Sequence, residues 1–124
     1  MEKWLKKLLE LLERNDKYDP WIDEVNTQEV LNSVKEEIYE LQQAIKNSDI
    51  ENIKEEVGDL LWTALLVVLS IKRNFDIDIE EVVELLEEKM KNRKPYIFKG
   101  EKPTLDKAVE IWVKAKEKET KKLQ

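Results

Sequence analysis

Apolar residues recur along this chain with the period of helices, and hardly anywhere with the alternation of strands. Trp4, Leu5, Leu8, Leu9 and Leu12 form one stripe, which predicts a first helix from about Glu2 to Arg14. A connector from Asn15 to Asn26 follows, with Asp19-Pro20-Trp21 inside it. Thr27 is the expected N-cap of a second helix, and a stripe of Val30, Val34, Ile38, Leu41 and Ile45 carries it to about Lys46. Ser48 and Glu51 fit a capping box that opens a third helix reaching about Lys72. Asp78 with Glu81 repeats that signature for a fourth, which ends near Lys94 because Pro95 restricts the residue before it. A loop from Pro95 to Pro103 leads to Thr104, the expected cap of a last helix that frays toward Gln124. The longest strand-like run is Tyr96-Ile97-Phe98. The pattern predicts an all-α fold, four-helix-bundle-like with an additional terminal helix.

The third helix is apolar on every side beyond Asp59. Leu61, Leu65 and Val68 define one side; Trp62, Leu66 and Leu69 define the other. A helix of this kind cannot be covered by one thin layer in a chain this short, so a homo-oligomer, completing the bundle by dimerisation, is expected. Its most apolar run, Leu60 to Ile71, falls well short of the ~20 residues that cross a bilayer. No membrane is therefore expected as a partner. The leucines near the N-terminus are broken by lysines and lack the form of a signal peptide, which makes the cytoplasm the default compartment.

Composition narrows the chemistry. The 124 residues are the length of one domain, and two glycines with three prolines suit a chain that is almost wholly helical. Without cysteine there is no disulfide framework or thiolate site, and without histidine there is no zinc–histidine centre or histidine base. Any reaction here runs on carboxylates, lysines, arginines and water. The net charge of −6 is unevenly spread. Residues 1–88 carry 10 basic and 23 acidic side chains, residues 89–124 carry 12 and 5. Either helices of opposite sign attract one another, or an acidic, metal-holding part is joined to a basic, phosphate-holding part. Nucleic acid is not an expected partner, because the basic segment lacks interleaved surface aromatics.

Two acidic pairs stand out, Glu36-Glu37-Ile38-Tyr39-Glu40 and Glu56-Val57-Gly58-Asp59. The pattern alone is common in so acidic a chain: Glu80-Glu81-Val82-Val83-Glu84 repeats the first, and Glu13 to Asp16 the second. Position separates the pairs from these repeats. At about 100° per residue, Glu37 lies roughly 65° from the centre of the second helix's stripe, with Glu40 on the same flank and Glu36 turned away. Glu56 and Asp59 lie one turn apart at the mouth of the apolar run, where Gly58 leaves room for a close neighbour. Two antiparallel helices could thus face each other with Glu37, Glu40, Glu56 and Asp59. Hard oxygen ligands alone select Mg²⁺, or Mn²⁺. A solvated acidic surface is the competing explanation. Basic residues recur similarly: Lys89 and Arg93 continue the fourth helix's stripe of Val82 and Leu86, and Lys116 lies one turn beyond Trp112. These four would suit a triphosphate with a base nearby, or be cations placed well at helix C-termini.

The combination resembles the MazG-type nucleoside triphosphate pyrophosphohydrolases of the all-α NTP pyrophosphatase superfamily. Their signature, Glu-Glu-x-x-Glu then Glu-x-x-Asp, stands here as Glu36, Glu37, Glu40, Glu56 and Asp59. Glu56-Val57-Gly58-Asp59-Leu60-Leu61-Trp62 is similar to the family's Glu-Leu-Gly-Asp-Leu-Leu-Phe. The run from Lys89 to Phe98 is similar to its Lys-Leu-x-Arg-Arg-His-Pro-His-Val-Phe. Pro20-Trp21 with Thr27, and Trp112 with Lys116, extend the resemblance over roughly residues 19–118. It implies a MazG fold, Mg²⁺ bound by Glu37, Glu40, Glu56 and Asp59, and substrate contacts from Lys89, Arg93, Trp112 and Lys116. The implied reaction is hydrolysis of an NTP to NMP and pyrophosphate, with Glu37 also helping to deprotonate water, in nucleotide-pool cleaning. A more selective dCTP, dUTP or phosphoribosyl-ATP pyrophosphatase, or a non-catalytic helical module, are the alternatives. Departures are the missing cysteine and glutamine of the first loop, Ile22 after its tryptophan, and Lys94 and Tyr96 where the family has histidines.

Overall fold

Prolines and short polar side chains set the helix boundaries. A computed structural model of the chain describes residues 2–123 as seven helices: α1 (Glu2–Tyr18), α2 (Pro20–Glu24), α3 (Thr27–Lys46), α4 (Ile50–Phe75), α5 (Ile79–Arg93), α6 (Pro95–Lys99) and α7 (Leu105–Leu123). The first helix outruns its expected end by a turn, and the connector after it contains a helix of its own. Asp19 ends one and starts the other: it precedes Pro20, and its side chain accepts the Trp21 N–H at 3.0 Å. Asn26, not Thr27, caps α3, accepting the Glu29 N–H at 2.9 Å while Glu29 reaches back to the Asn26 amide. Asp49, not Ser48, caps α4 through the Asn52 N–H, because Ser48 is spent on the left-handed turn at φ 52°. Tyr96-Ile97-Phe98 is helical rather than extended. Pro95 suits a first helical turn, and Gly100 stops α6 at φ 68°, a conformation that favours glycine.

The chain forms two compact units, one reaching to Ile77 and one beginning at Asp78. In the first, α3 and α4 make a hairpin through the turn at Asn47–Asp49 and pack along their lengths. Val30, Val34, Glu37, Leu41 and Ala44 face the seam from α3; Glu56, Thr63, Leu66 and Ser70 face it from α4. The α3 set advances in alternating steps of three and four residues and the α4 set does so from Thr63 onward, the spacing of helices packed side by side. The seam is therefore rotated from the expected stripe. Ile38 and Ile45 remain 44% and 57% exposed, with Leu31 a further heptad back, while Ala44 is fully buried. Near the open end of the hairpin, Ile22, Val25, Val30, Leu66 and Leu69 close a core flanked by Leu12, Trp62 and Val67. Ile22, where the sequence departs from the loop of the family it resembles, is thus a core residue. Burying it contributes about 2 kcal/mol.

Polar groups in this core are paired. Ser70 is buried, and its hydroxyl lies 2.8 Å from that of Thr27; Asn74 donates to both and to the Val25 carbonyl. Arg73 ties three helices together. Its Nη2 meets the carboxylate and the main-chain carbonyl of Asp16 in α1, each at 2.7 Å, and its Nη1 meets Asp23 in α2. The Asp16 carboxylate first, then Asp23, raise the guanidinium's pKa. Asp16, which the sequence pattern presents as half of an acidic pair, is thus an anchor for α1.

In the second unit α5 packs against both α6 and α7. Ala108, Ile111, Trp112, Ala115 and Glu119 are the more protected positions of α7. On α5 only Met90 and Arg93 are comparably protected after the first turn; Val82 and Leu86, expected to point inward, are exposed. No helix of the described residues is long and apolar enough to cross a membrane.

Replacing Arg73 with alanine leaves two carboxylates without their cation and removes the link among α1, α2 and α4. Urea unfolding should show a loss of about 2 kcal/mol; a change under about 0.5 kcal/mol would mean that the contacts are solvated and carry no stability.

Candidate functional site

The seam that holds α3 to α4 is interrupted by acids midway. Glu37 occupies a seam position, between Val34 and Leu41, where the period of the other members calls for an apolar residue. Across from it Glu56 occupies the same kind of position on α4, with Asp59 a turn further on. Oxygens of Glu37, Glu56 and Asp59 all lie within 4.8 Å of one another. Glu37 and Glu56 are half-buried and Asp59 is exposed. Glu40 is exposed but close to both glutamates; it stands outside the group of three while adding to its field. Glu36 is exposed. Gly58 is exposed too, and a Cβ there would meet nothing within 4 Å, so the close neighbour expected beside it is not part of this chain's packing.

Burial is the largest cause of perturbed acidity here, and mutual repulsion adds to it. Burial, then Glu40 and Asp59, raise the pKa of Glu37. Burial, then Glu40, with Asp59 and Glu37 behind, push Glu56 up to about 7. Among the described residues no cation compensates. The Oε2 atoms of both Glu37 and Glu56 are buried and bonded to nothing. Two orphaned carboxylate oxygens on members of an all-oxygen cluster are what a divalent cation would satisfy, so these residues fit one.

The basic residues gather within the second unit. Arg93 lies over Trp112, its guanidinium carbon 4.9 Å from the ring centroid, and bonds Glu119 through Nη2 at 2.7 Å and Nε at 3.3 Å. The Lys116 and Lys94 ammonium groups approach the same ring at 5.8 Å and 5.7 Å. Arg93 foremost, then Lys89 and Lys116, lower the pKa of Glu119. The expected four, Lys89, Arg93, Trp112 and Lys116, are thus brought together around a fifth residue that the motifs do not contain. No sequence motif points to Glu119, and only its place on the Trp112 and Ala115 face of α7 sets it apart.

Residues 25–98 match the MazG nucleotide pyrophosphohydrolase domain. The chain belongs to that family. The match spans Glu37, Glu40, Glu56, Asp59, Lys89 and Arg93; Trp112, Lys116 and Glu119 lie beyond it. The crystal structure of a MazG-related protein from Thermotoga maritima superposes with a TM-score of 0.81 at 36% identity, covering 90% of this chain and 98% of that one. A nucleoside triphosphate pyrophosphohydrolase/pyrophosphatase MazG of the same organism is 35% identical over 89 residues, 70% of this chain and 34% of its own. A nucleoside triphosphate pyrophosphohydrolase of Mycolicibacterium smegmatis is 29% identical over 104 residues, 82% of this chain and 32% of its own. The chain therefore spans about a third of the length of these curated relatives.

The raised pKa of Glu56 gives the MazG domain a distinctive pH response without metal. A carboxyl whose folded pKa exceeds its unfolded one binds more protons when folded, so deprotonation destabilises the fold. That loss develops between about pH 4.5 and 7 and is complete above it. Glu56→Gln cannot titrate. In EDTA its melting temperature should gain on the wild type across this window; a gap that stays constant would contradict the cluster's electrostatics.

Proposed function

We propose that the chain is a Mg²⁺-dependent nucleoside triphosphate pyrophosphohydrolase, Mn²⁺ being the other ion its ligands would accept. The supporting observation is the pair of orphaned carboxylate oxygens in the α3–α4 seam. Such a seam would be more stable with apolar residues unless the acids serve a bound ion. Glu37, Glu40, Glu56 and Asp59 would hold it; Glu40 would join by a change of rotamer from its exposed position. A divalent ion supplies neutralisation of phosphate oxygens and acidification of water. The chain's own groups account for the rest. Lys89, Arg93 and Lys116 bind phosphate oxygens, Arg93 with its planar fork. Glu37, its proton affinity raised by burial and by Glu40, accepts the proton of the attacking water. The water oxygen bonds to the α-phosphorus, the α–β anhydride bond breaks, and NMP and pyrophosphate leave.

Nucleotide-pool cleaning is the corresponding role. Trp112 would contact the substrate beside Arg93, which lies over its ring. A panel of common and deaminated NTPs should release pyrophosphate with Mg²⁺ and none in EDTA. Glu56→Gln with Asp59→Asn should lower the rate by at least about 100-fold. Ion-independent release, or full activity in the double variant, would remove this reading.

A homo-oligomer, dimer or tetramer, is part of the same proposal. Leu31, Ile38 and Ile45 on α3, with Val57 and Leu61 on α4, leave apolar surface exposed in the unit that carries the acids. Light scattering at micromolar concentration should report more than one chain per particle; a stable monomer would overturn this part.

A further inference from the structure

Arg93 is restrained on two sides, and each restraint leaves a different part of it open. The indole of Trp112 packs against the planar guanidinium, its ring centroid 4.9 Å from the guanidinium carbon. The Glu119 carboxylate occupies the edge made by Nε and one hydrogen of Nη2, which fixes rotation within that plane. Nη1 is bonded to nothing among the described residues. The free edge, Nη1 with the second hydrogen of Nη2, keeps the two parallel donors that suit two oxygens of one phosphate. The Arg93 side chain is only 15% exposed, so it is packed in this orientation rather than sampling solvent. A long side chain held in place loses less freedom on binding an anion than one that must first be ordered.

We propose that Glu119 is a positioning residue: with Trp112 it orients Arg93 so that the outer edge of the guanidinium is presented to a phosphate group of the substrate. This deepens the reading of Arg93 as a phosphate-holding group and rests on it. Glu119 also brings a negative charge beside Lys89, Arg93 and Lys116, which by itself opposes anion binding. The two effects are separable. Glutamine and alanine at 119 remove the same charge, but glutamine retains an oxygen that can accept from Arg93.

The test is calorimetric titration of the full chain with inorganic tripolyphosphate at fixed salt, for Glu119→Gln and Glu119→Ala, each with Arg93 present and with Arg93→Ala. Positioning predicts that Glu119→Ala binds about tenfold more weakly than Glu119→Gln when Arg93 is present, and that the two bind alike when it is absent. Equal affinity of the two variants with Arg93 present means that only the charge of Glu119 matters, and overturns the proposal. A difference that persists without Arg93 marks a structural role and overturns it as well. Unchanged tripolyphosphate affinity in Arg93→Ala alone removes the phosphate reading of Arg93 itself, a failure visible before any Glu119 variant is compared.

Discussion

Repulsion among the carboxylates of Glu37, Glu40, Glu56 and Asp59 is the constraint around which the helical hairpin is arranged. Glu37 and Glu56 bring theirs into a helix seam, where water screens them poorly and apolar residues would pack better, with the exposed Glu40 and Asp59 beside them. The rest of the seam compensates by being unusually complete. Val30 and Ala44 are fully buried, and Leu66 nearly so. Thr63 satisfies its buried hydroxyl on the Asp59 and Leu60 carbonyls of its own helix. Thr27, Ser70 and Asn74 bond one another across the seam. Arg73, with two acids of its own, pins α1 and α2 over the end farthest from the turn. The acids are thus held in place by contacts that do not involve them.

The second unit solves the opposite problem with different chemistry. Lys89, Arg93 and Lys116 repel one another less than their charges suggest, because Glu119 lies among them and the indole of Trp112 receives cations on its face. The acidic cluster has no such internal counter-charge. That difference is why the acids call for a cation from outside the chain.

Much of this was legible in the sequence, and what was not has physical reasons. Helix content, the cap at Asp78 and the grouping of acids on α3 and α4 follow from periodicity and local capping chemistry, which act over a few residues. The rotation of the α3 seam did not follow. The expected stripe is centred near Val34, with Ile38 and Ile45 toward one edge, but which edge is buried depends on the partner helix, and α4 takes the edge nearest Glu37 and Ala44. Glu37 is consequently more central than its place beside the stripe implied. Glu13 to Asp16 matched the motif of the second acidic pair, yet only tertiary structure reveals that Asp16 serves Arg73. Glu119 was hidden for a related reason: a glutamate late in a lysine-rich helix reads as solvated surface until Arg93 is seen across from it. The short helices α2 and α6 arose where prolines promised loops, since proline breaks a helix from within but starts one readily.

The claim that the seam is built for a divalent ion is tested most directly by titrating Mg²⁺ into the metal-stripped chain near pH 7, in two buffers of different protonation heat. Saturable binding with net proton release is expected, because Glu56, its pKa pushed up to about 7, must give up its proton to become a ligand. Binding should be lost in Glu56→Gln. Absence of saturable binding, or equal binding in the wild type and Glu56→Gln, would contradict it.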